Sequence, residues 1–295
     1  MKILFLHELD IREHKGGAEQ TSLAIVRKGK SLGHTIDYHI GVPDSIPKGY
    51  DMLFILTLNA DYERMLQFYR GLPGLGIPYV KIDCAFDFIP SRLPPEDGAA
   101  PEEWNAVFRP FYESAAAVCF MSPAQRDRYW EYFDRNVIEP SIIIPPPVDT
   151  SVFKIDYDVE RKENQWIYTG GFKKHKGVDE VLQWADAHRD KKVLMVGGGR
   201  YRPMKLPNIE ILDQVDTPEL VRLYNESRGY VHIPHNFDCA PRTTIEAYLC
   251  GCELHLGPKD GNLSFQFDWR DRDGMRAVIA DAPASFWRQL GRVMS

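Results

Sequence analysis

The sequence predicts an α/β protein built from two doubly wound, Rossmann-like domains whose parallel sheets face a cleft. Three observations lead to this prediction: apolar strand patterns alternate with helical patterns, the alternation restarts in the second half, and prolines separate the halves. Alternating strands and helices are typical of parallel sheets covered by helices on both faces. Ligands of such sheets bind beyond the carboxyl ends of the strands, so the loops at those ends are the candidate functional segments.

The first predicted domain covers residues 1–147 and opens with the buried-strand pattern KILFLH. The helical pattern AEQTSLAIVRKGKSLG follows, and Gly33 is its predicted stop. Further strand patterns are HTIDYHIGV, DMLFILTL, YVKID and AAVCFMS, which helical or Pro- and Gly-rich segments separate. This regular alternation indicates a first parallel sheet.

The second predicted domain covers residues 148–295 and repeats the order. Its strand patterns are QWIYTGG, KVLMVGGG, NIEILDQV and GYVHIP. VDEVLQWADAH and TPELVRLYNES are helical patterns, the second with Thr217 as its predicted N-cap. The segment IIIPPPVDTSVF separates the domains, because three successive prolines fit neither a helix nor a central strand.

Composition excludes several classes of function. Lys and Arg number 36 against 42 Asp and Glu, and the net charge of −6 disfavours a nucleic-acid polymer as partner. No apolar run is long enough to span a bilayer and MKILFLHELD is too short for a signal peptide, so we expect a cytoplasmic protein. The five Cys residues form no CxxC pair, and we expect no metal site. The segment RKGK at 27–30 fits a solvated helix face or weak contact with anionic lipid headgroups.

Glycine-rich loops follow three of the predicted strands. Gly16 and Gly17 let the backbone approach an anion at a helix N-terminus, or they form an ordinary strand-to-helix turn. The lysines of YTGGFKKHKGVDEV suit a diphosphate whose charge must be neutralised, or they form a solvated charge run. VGGGRY at 196–201 allows close backbone approach to a ligand or a flexible turn. Composition alone leaves these alternatives open.

The segment FDCAPRTTIEAYLCG, residues 237–251, places Asp238 and Glu246 eight positions apart, in a loop and in the following helix. Carboxylates in such positions can accept paired hydroxyls, one pair from a ribose and one from a sugar. The N–H groups of the intervening residues, including Arg242, Thr243 and Thr244, can meet phosphates. The alternative for Glu246 is a first-turn acid that interacts with the helix dipole.

Together these loops resemble family 4 of the retaining glycosyltransferases (glycosyl transferases group 1), which have the GT-B fold. The matching motifs are the pair Gly16–Gly17, PPPVDTSVF at 145–153, GGFKKHKG at 170–177 and DCAPRTTIEAYLCGCEL at 238–254. The resemblance covers most of the chain and is strongest over residues 140–257. The chain is short for the family, mainly in the first domain, which normally shapes the acceptor site. The resemblance also implies that the last helix packs back on the first domain.

The resemblance implies transfer of a sugar, with retention and without a metal, from a UDP- or GDP-sugar to a hydroxyl acceptor. The acceptor is unidentified: a glycan, a lipid-linked glycan or a small molecule. Glu246 matches the carboxylate that takes the ribose hydroxyls, Asp238 the one that lies against the sugar ring, and Lys176 the lysine that stabilises the leaving diphosphate. Gly16 and Gly17 match the loop that completes the phosphate cradle. No cofactor is implied beyond the nucleotide-sugar donor.

This sequence departs from the family pattern at several positions. Gly171 stands where the family has an arginine, so Lys173 or Lys174 must supply that cation if it is supplied at all. Asp238 replaces a glutamate, which shortens the reach by one methylene. In place of the histidine of the first domain, the sequence offers Asp83 and Asp87, which either bind acceptor or sugar hydroxyls or cap a helix or loop.

Two other functions fit the same motifs. A glycosyltransferase-like protein that binds a nucleotide-sugar without turning it over is compatible with the missing arginine and the short first domain. A nucleotide-sugar 2-epimerase on the same fold is less favoured by the PPPVDTSVF and KG motifs. A Rossmann dehydrogenase is disfavoured, because HELDIREHKGG follows the first strand in place of a glycine fingerprint.

Overall fold

The structure is a computed structural model that describes residues 1–14, 16–58, 60–84, 102–199, 201 and 206–295, with 102–105 as backbone only. The chain divides into two units. The first unit combines Met1–Pro147 with Asp281–Ser295, and the second is Val148–Ala280. Each unit contains one parallel β-sheet with helices between its strands. The predicted α/β class with two doubly wound parallel sheets is confirmed.

The sheet of the first unit has the strand order β2-β1-β3-β4-β5-β6. Neighbouring strands pair in parallel throughout. β1, β3, β4 and β5 are almost fully buried, as expected of central strands covered on both faces. The strands are β1 (Lys2–His7), β2 (Thr35–Ile40), β3 (Met52–Ile55), β4 (Tyr79–Asp83), β5 (Ala117–Phe120) and β6 (Ser141–Ile143).

Side-chain caps start two of the helices in this unit. Asp61 accepts a hydrogen bond from the backbone N–H of Arg64 at 3.1 Å, and Ser122 accepts one from Gln125 at 3.2 Å. The first helix begins after Gly16, which has no side chain to serve as a cap. The helices are α1 (Gly17–Ser31), α2 (Tyr62–Gly71), α3 (Glu102–Glu113) and α4 (Pro123–Tyr129).

The sheet of the second unit has the strand order β11-β10-β7-β8-β9, again with parallel neighbours. Apolar residues of both sheet faces form its core with those of the helices. The strands are β7 (Lys162–Thr169), β8 (Lys192–Val196), β9 (Ile209–Leu212), β10 (Ser227–His232) and β11 (Glu253–Leu256). The helices are α5 (Val178–Ala187), α6 (Thr217–Glu226), α7 (Arg242–Leu249) and α8 (Arg272–Val293), whose last part belongs to the first unit.

Residues after Asp281 pack in the core of the first unit. The indole Nε1 of Trp287 donates to the carbonyl of Ile25 at 2.9 Å, and the ring stacks on His34 with centroids 4.6 Å apart. The amide of Gln289 donates to the carbonyl of Ile143 at 3.0 Å, which ties α8 to the edge strand β6. The C-terminal segment therefore covers α1 and the sheet of the unit in which the chain begins.

The structure corrects two local predictions. α6 is capped by Asp216, whose carboxylate accepts from the N–H of Glu219 at 3.0 Å, and not by Thr217, which is its first residue. Ser141–Ile143, assigned in part to the proline-rich segment, forms the edge strand β6. In the described part of the chain, no helix combines the length and the apolar character that crossing a membrane requires.

Candidate active site

The candidate active site of the second unit lies at the carboxyl ends of β7 and β10, which are neighbouring parallel strands. β7 is followed by the glycine- and lysine-rich loop 170–177, which includes a 3₁₀ turn at Lys174–Lys176. β10 ends at His232 and is followed by the loop 233–241, which leads into α7. Because parallel neighbours end at the same edge of a sheet, the two loops lie side by side.

Gly177 fixes the contact between these two loops. Its φ is +81°, in the left-handed region that L side chains rarely adopt. A Cβ atom built on Gly177 would lie 1.8 Å from the carbonyl oxygen of Ile233, so the first loop packs directly on the backbone of the second. The N–H of Asn236 also donates to the carbonyl of His175 at 3.2 Å. The backbone of one loop thus positions the side chains of the other.

Lys176 and Asp238 form an ion pair between the two loops. The Nζ of Lys176 donates to Oδ2 of Asp238 at 2.7 Å. Burial alone would raise the pKa of Asp238, but the ammonium of Lys176, with His232 and His175, lowers the pKa below its usual value. Burial likewise disfavours the charged Lys176, and Asp238 overcomes this and raises the lysine pKa. Both groups are therefore charged at neutral pH.

Glu246 lies one turn inside α7 and is almost fully buried. Its Oε1 pairs with Nη2 of Arg242, the first residue of the helix, at 3.3 Å. Burial raises the pKa of Glu246, and Arg242 offsets this only in part. The site thus contains a second carboxylate whose free oxygen lone pairs can accept hydroxyl groups.

Thr243 and Thr244 direct their hydroxyls into the unit. Thr243 Oγ1 is 2.7 Å from the hydroxyl of Tyr230, and Thr244 Oγ1 donates to Oδ2 of Asp260 at 2.8 Å. The N–H of Thr244 donates to the carbonyl of Pro241 at 3.3 Å, so the N–H groups of Arg242 and Thr243 are the ones that this first helical turn offers to an anion. Pro241 precedes them without a side-chain cap on those groups.

Gly171 and Lys173 lie in the loop after β7. The N–H of Lys173 donates to the carbonyl of Gly171 at 2.9 Å, and the side chain of Lys173 is exposed. The neighbouring Phe172 donates its N–H to the carbonyl of Gly198 at 2.7 Å, so the VGGG loop supports this segment through its backbone. Lys173 and Lys174 thus add exposed positive charge beside Lys176.

Sequence reasoning missed two buried residues, His232 and Asp260. His232 Nδ1 is 3.0 Å from Oδ2 of Asp260, and its Nε2 is 3.7 Å from Oδ2 of Asp238. Asp238 and Asp260 also form an isolated parallel bridge. The available signals were a histidine at the end of the GYVHIP strand and the acid of GPKDGN, but neither belongs to a motif that resembles the family.

The first unit holds the remaining predicted residues. Gly16 precedes α1 and Gly17 is its first residue. Glu19 lies directly against them: a Cβ on Gly16 would be 2.1 Å from its Oε2. Its Oε1 is 3.2 Å from Nε2 of the buried His7, and this hydrogen bond lowers the pKa of Glu19. The glycine pair therefore packs on a buried acid–histidine pair at the end of β1.

Asp83 is fully buried at the end of β4. Its Oδ2 accepts hydrogen bonds from the hydroxyls of Tyr112, at 3.2 Å, and Tyr129. Its carbonyl accepts from the amide of Gln125 at 3.0 Å. In this arrangement the Asp83 side chain joins α3 and α4 to the sheet. The alternative, Asp87, lies outside the described residues.

The described residues contain no group of three or more His, Cys, Asp or Glu side chains that could hold one metal ion. The second unit holds Lys176, Asp238 and Glu246, and the first two are in direct contact.

No protein-family model matches the sequence, and the search of curated proteins found no match. Solved structures do match over almost the whole chain. Sucrose-phosphate synthase from Thermosynechococcus elongatus has 15% identity and a TM-score of 0.69, covering 99% of this chain and 93% of that one. HepE of Anabaena, in complex with UDP and glucose, has 14% identity and a TM-score of 0.64, covering 99% and 97%.

A third similar structure is an alpha-glucosyltransferase in complex with UDP and a 13-mer DNA, with 15% identity and a TM-score of 0.58. It covers 99% of this chain and 94% of that chain. These likenesses show that the chain has the GT-B fold, as predicted.

Proposed function

We propose that the protein is a retaining glycosyltransferase of the family 4 type that moves a sugar from a UDP- or GDP-sugar to a hydroxyl acceptor without a metal ion. The contact between Lys176 and Asp238, beside the first turn of α7, carries this proposal. It joins the motif lysine to the first motif carboxylate, although 62 positions separate them along the chain. Solved GT-B structures with UDP or UDP-glucose support the donor class.

The diphosphate of the donor lies, in this proposal, between Lys176 and the first turn of α7. The Lys176 side chain is 39% exposed, so a ligand can reach its ammonium from solvent. Exposed Lys173 and Lys174 add charge that compensates for glycine at position 171. Fixed cations and N–H groups stabilise the charge that develops on a leaving diphosphate, because they need no reorganisation during the reaction.

The two carboxylates take the sugars of the donor. Glu246 accepts the ribose hydroxyls, and Asp238 lies against the transferred sugar. The transition state is oxocarbenium-like, and the acceptor hydroxyl takes the place of the water in glycoside hydrolysis.

A thermal-shift panel of UDP, GDP and ADP with their common sugar conjugates tests the donor site. A ligand present at about 100 times its dissociation constant stabilises the native state by roughly 2.7 kcal/mol. We expect one nucleotide to shift the wild type and Glu246→Ala to lose the shift. Glu226→Ala is the matched control, because Glu226 also pairs with an arginine one turn earlier on a helix, Arg222 of α6. Absence of any shift in the wild type at millimolar ligand would refute the donor site.

Glycine at position 171 and the short first domain are the observations that favour a binding protein without turnover. Incubation of the wild type with the selected UDP- or GDP-sugar, followed by ¹H NMR, separates the two functions. Slow hydrolysis that first releases the sugar in the anomeric configuration of the donor supports a retaining transferase. Binding without release of sugar over several days indicates the non-catalytic protein, and an epimeric sugar indicates the 2-epimerase.

A further inference from the structure

One carboxylate oxygen, Oδ2 of Asp238, faces two basic groups that differ in accessibility. Lys176 Nζ is 2.7 Å away on a partly exposed side chain, whereas His232 Nε2 is 3.7 Å away on a side chain that is only 4% exposed. A long exposed lysine can turn towards an arriving anion, because its four-carbon stem is flexible and its ammonium is a point charge. The buried imidazole at the end of β10 has no such freedom.

Asp260 fixes the orientation of the His232 ring through Nδ1, the nitrogen that does not face Asp238. Its Nδ1 lies 3.0 Å from Oδ2 of Asp260, a carboxylate with no exposed surface. Asp260 also accepts from the hydroxyl of Thr244 at 2.8 Å and from the N–H of Asn262 at 2.9 Å. A carboxylate on one ring nitrogen fixes the orientation of the ring and directs the other nitrogen, in this case towards Asp238. Through Thr244 the same carboxylate is tied to the first turn of α7.

When the donor binds, the carboxylate of Asp238 needs a basic partner other than Lys176. When the ammonium of Lys176 turns to the diphosphate, Asp238 keeps its negative charge close to an anion and loses its nearest cation. Leaving a mostly buried carboxylate without a partner is strongly unfavourable. The imidazole of His232 lies against the same carboxylate oxygen, contributes to the lowered pKa of Asp238 and stays in place when Lys176 turns away.

We infer that His232, held by Asp260, is the fixed positioning partner of Asp238, which keeps this carboxylate in place when Lys176 turns to the donor diphosphate. The inference rests on the proposed function and adds to it. It explains how Lys176 can leave its ion pair with Asp238 and bind a diphosphate. Neither His232 nor Asp260 belongs to the motifs that resemble family 4.

A double-mutant cycle on His232 and Asp238 tests the inference by calorimetric titration with UDP, or with GDP if the panel selects guanine. His232→Asn keeps an N–H for Asp260 and removes the nitrogen that faces Asp238. We expect it to weaken UDP binding roughly 10-fold, because a mostly buried charge then loses its second basic neighbour. In an Asp238→Asn background, the same change should alter UDP affinity less than about twofold, since no charge remains to be held. Asp260→Asn should reproduce the loss.

His255→Asn is the matched control, because His255 lies on the adjacent strand β11 and packs against Trp184. It should leave UDP affinity unchanged. Equal losses from His232→Asn in the two backgrounds would show a purely structural role and overturn the inference, as would unchanged affinity in His232→Asn and Asp260→Asn. If His232→Asn does not fold, Asp260→Asn is measured in the wild-type and Asp238→Asn backgrounds instead. Equal losses of UDP affinity in the two backgrounds would again overturn the inference. A wild type that binds none of the nucleotides would instead overturn the proposed function, and the inference with it.

Discussion

The carboxyl of Glu246 illustrates how a single residue of a candidate site can lower the stability of the native state. It is buried in α7, and its pKa is raised because burial disfavours the charged form more than Arg242 favours it. A carboxyl with a higher pKa in the folded state holds its proton more tightly there than in the unfolded chain. Between the two pKa values the native state therefore loses stability as pH rises, and above them the loss is complete.

Replacing Glu246 by Gln removes this dependence. We expect the free energy of unfolding of Glu246→Gln to improve relative to the wild type as pH is raised from about 4 to about 8. Urea denaturation at several pH values measures the difference. Glu219→Gln is a control of opposite sign, because the hydrogen bond from Arg222 lowers the pKa of Glu219, so its contribution is present at high pH and lost at low pH. A difference for Glu246→Gln that does not change with pH would contradict the prediction.

Single residues of the candidate site could be predicted from the sequence only where a short motif contains them. Glu246, Asp238 and Lys176 stood out because short motifs contain them. His232 and Asp260 pair across 28 positions, and Thr244 reaches Asp260 across 16. No local periodicity signals such contacts, since they arise only when parallel strands place their carboxyl ends side by side.

At the scale of elements, burial decided what could be predicted. The strands β1, β3, β5 and β8 contain short apolar runs bounded by polar or glycine-rich segments, and this pattern predicted them. The edge strand β6 has three residues and adjoins prolines, so its pattern could not be separated from that of the linker. The predicted N-cap of α6, Thr217, is one residue later than the observed one, Asp216, because both are good capping residues.

The loop element at 170–177 depends on Gly177. Alanine there would adopt a left-handed conformation and place its Cβ 1.8 Å from the carbonyl oxygen of Ile233. We expect Gly177→Ala to lower the free energy of unfolding by at least about 2 kcal/mol. It should also weaken the proposed nucleotide binding, because the loop that carries Lys176 would be displaced from the carboxyl end of β10. Urea denaturation and titration with UDP measure the two effects.

Gly198→Ala is the control for this element, since a Cβ at Gly198 meets no atom within 4 Å. Its cost should stay within about 0.5 to 1 kcal/mol. Equal effects of the two substitutions would show that the close packing of the 170–177 loop on Ile233 does not stabilise the protein.

At the scale of the whole chain, the C-terminal segment belongs to the unit in which the chain begins. Trp287 is its main anchor: it is buried, donates to Ile25 at 2.9 Å and lies 5.5 Å from the ring of Phe54. The second unit has a core of its own around Trp184 and Trp166, whose rings are 5.0 Å apart. The two cores share no part of the sequence, so each unit should respond to loss of its own tryptophan.

Hydrogen exchange monitored by mass spectrometry tests this expectation. Replacing a buried tryptophan by alanine typically costs about 3 to 5 kcal/mol, which is a large part of the stability of a domain. We expect Trp287→Ala to reduce protection of the amides in β1 and β3 while β7 and β8 stay protected. Trp184→Ala should give the reverse pattern. If either substitution deprotected both sheets equally, the chain would unfold as one cooperative unit, and the C-terminal segment would stabilise the whole protein, because local openings would then be as costly as global unfolding.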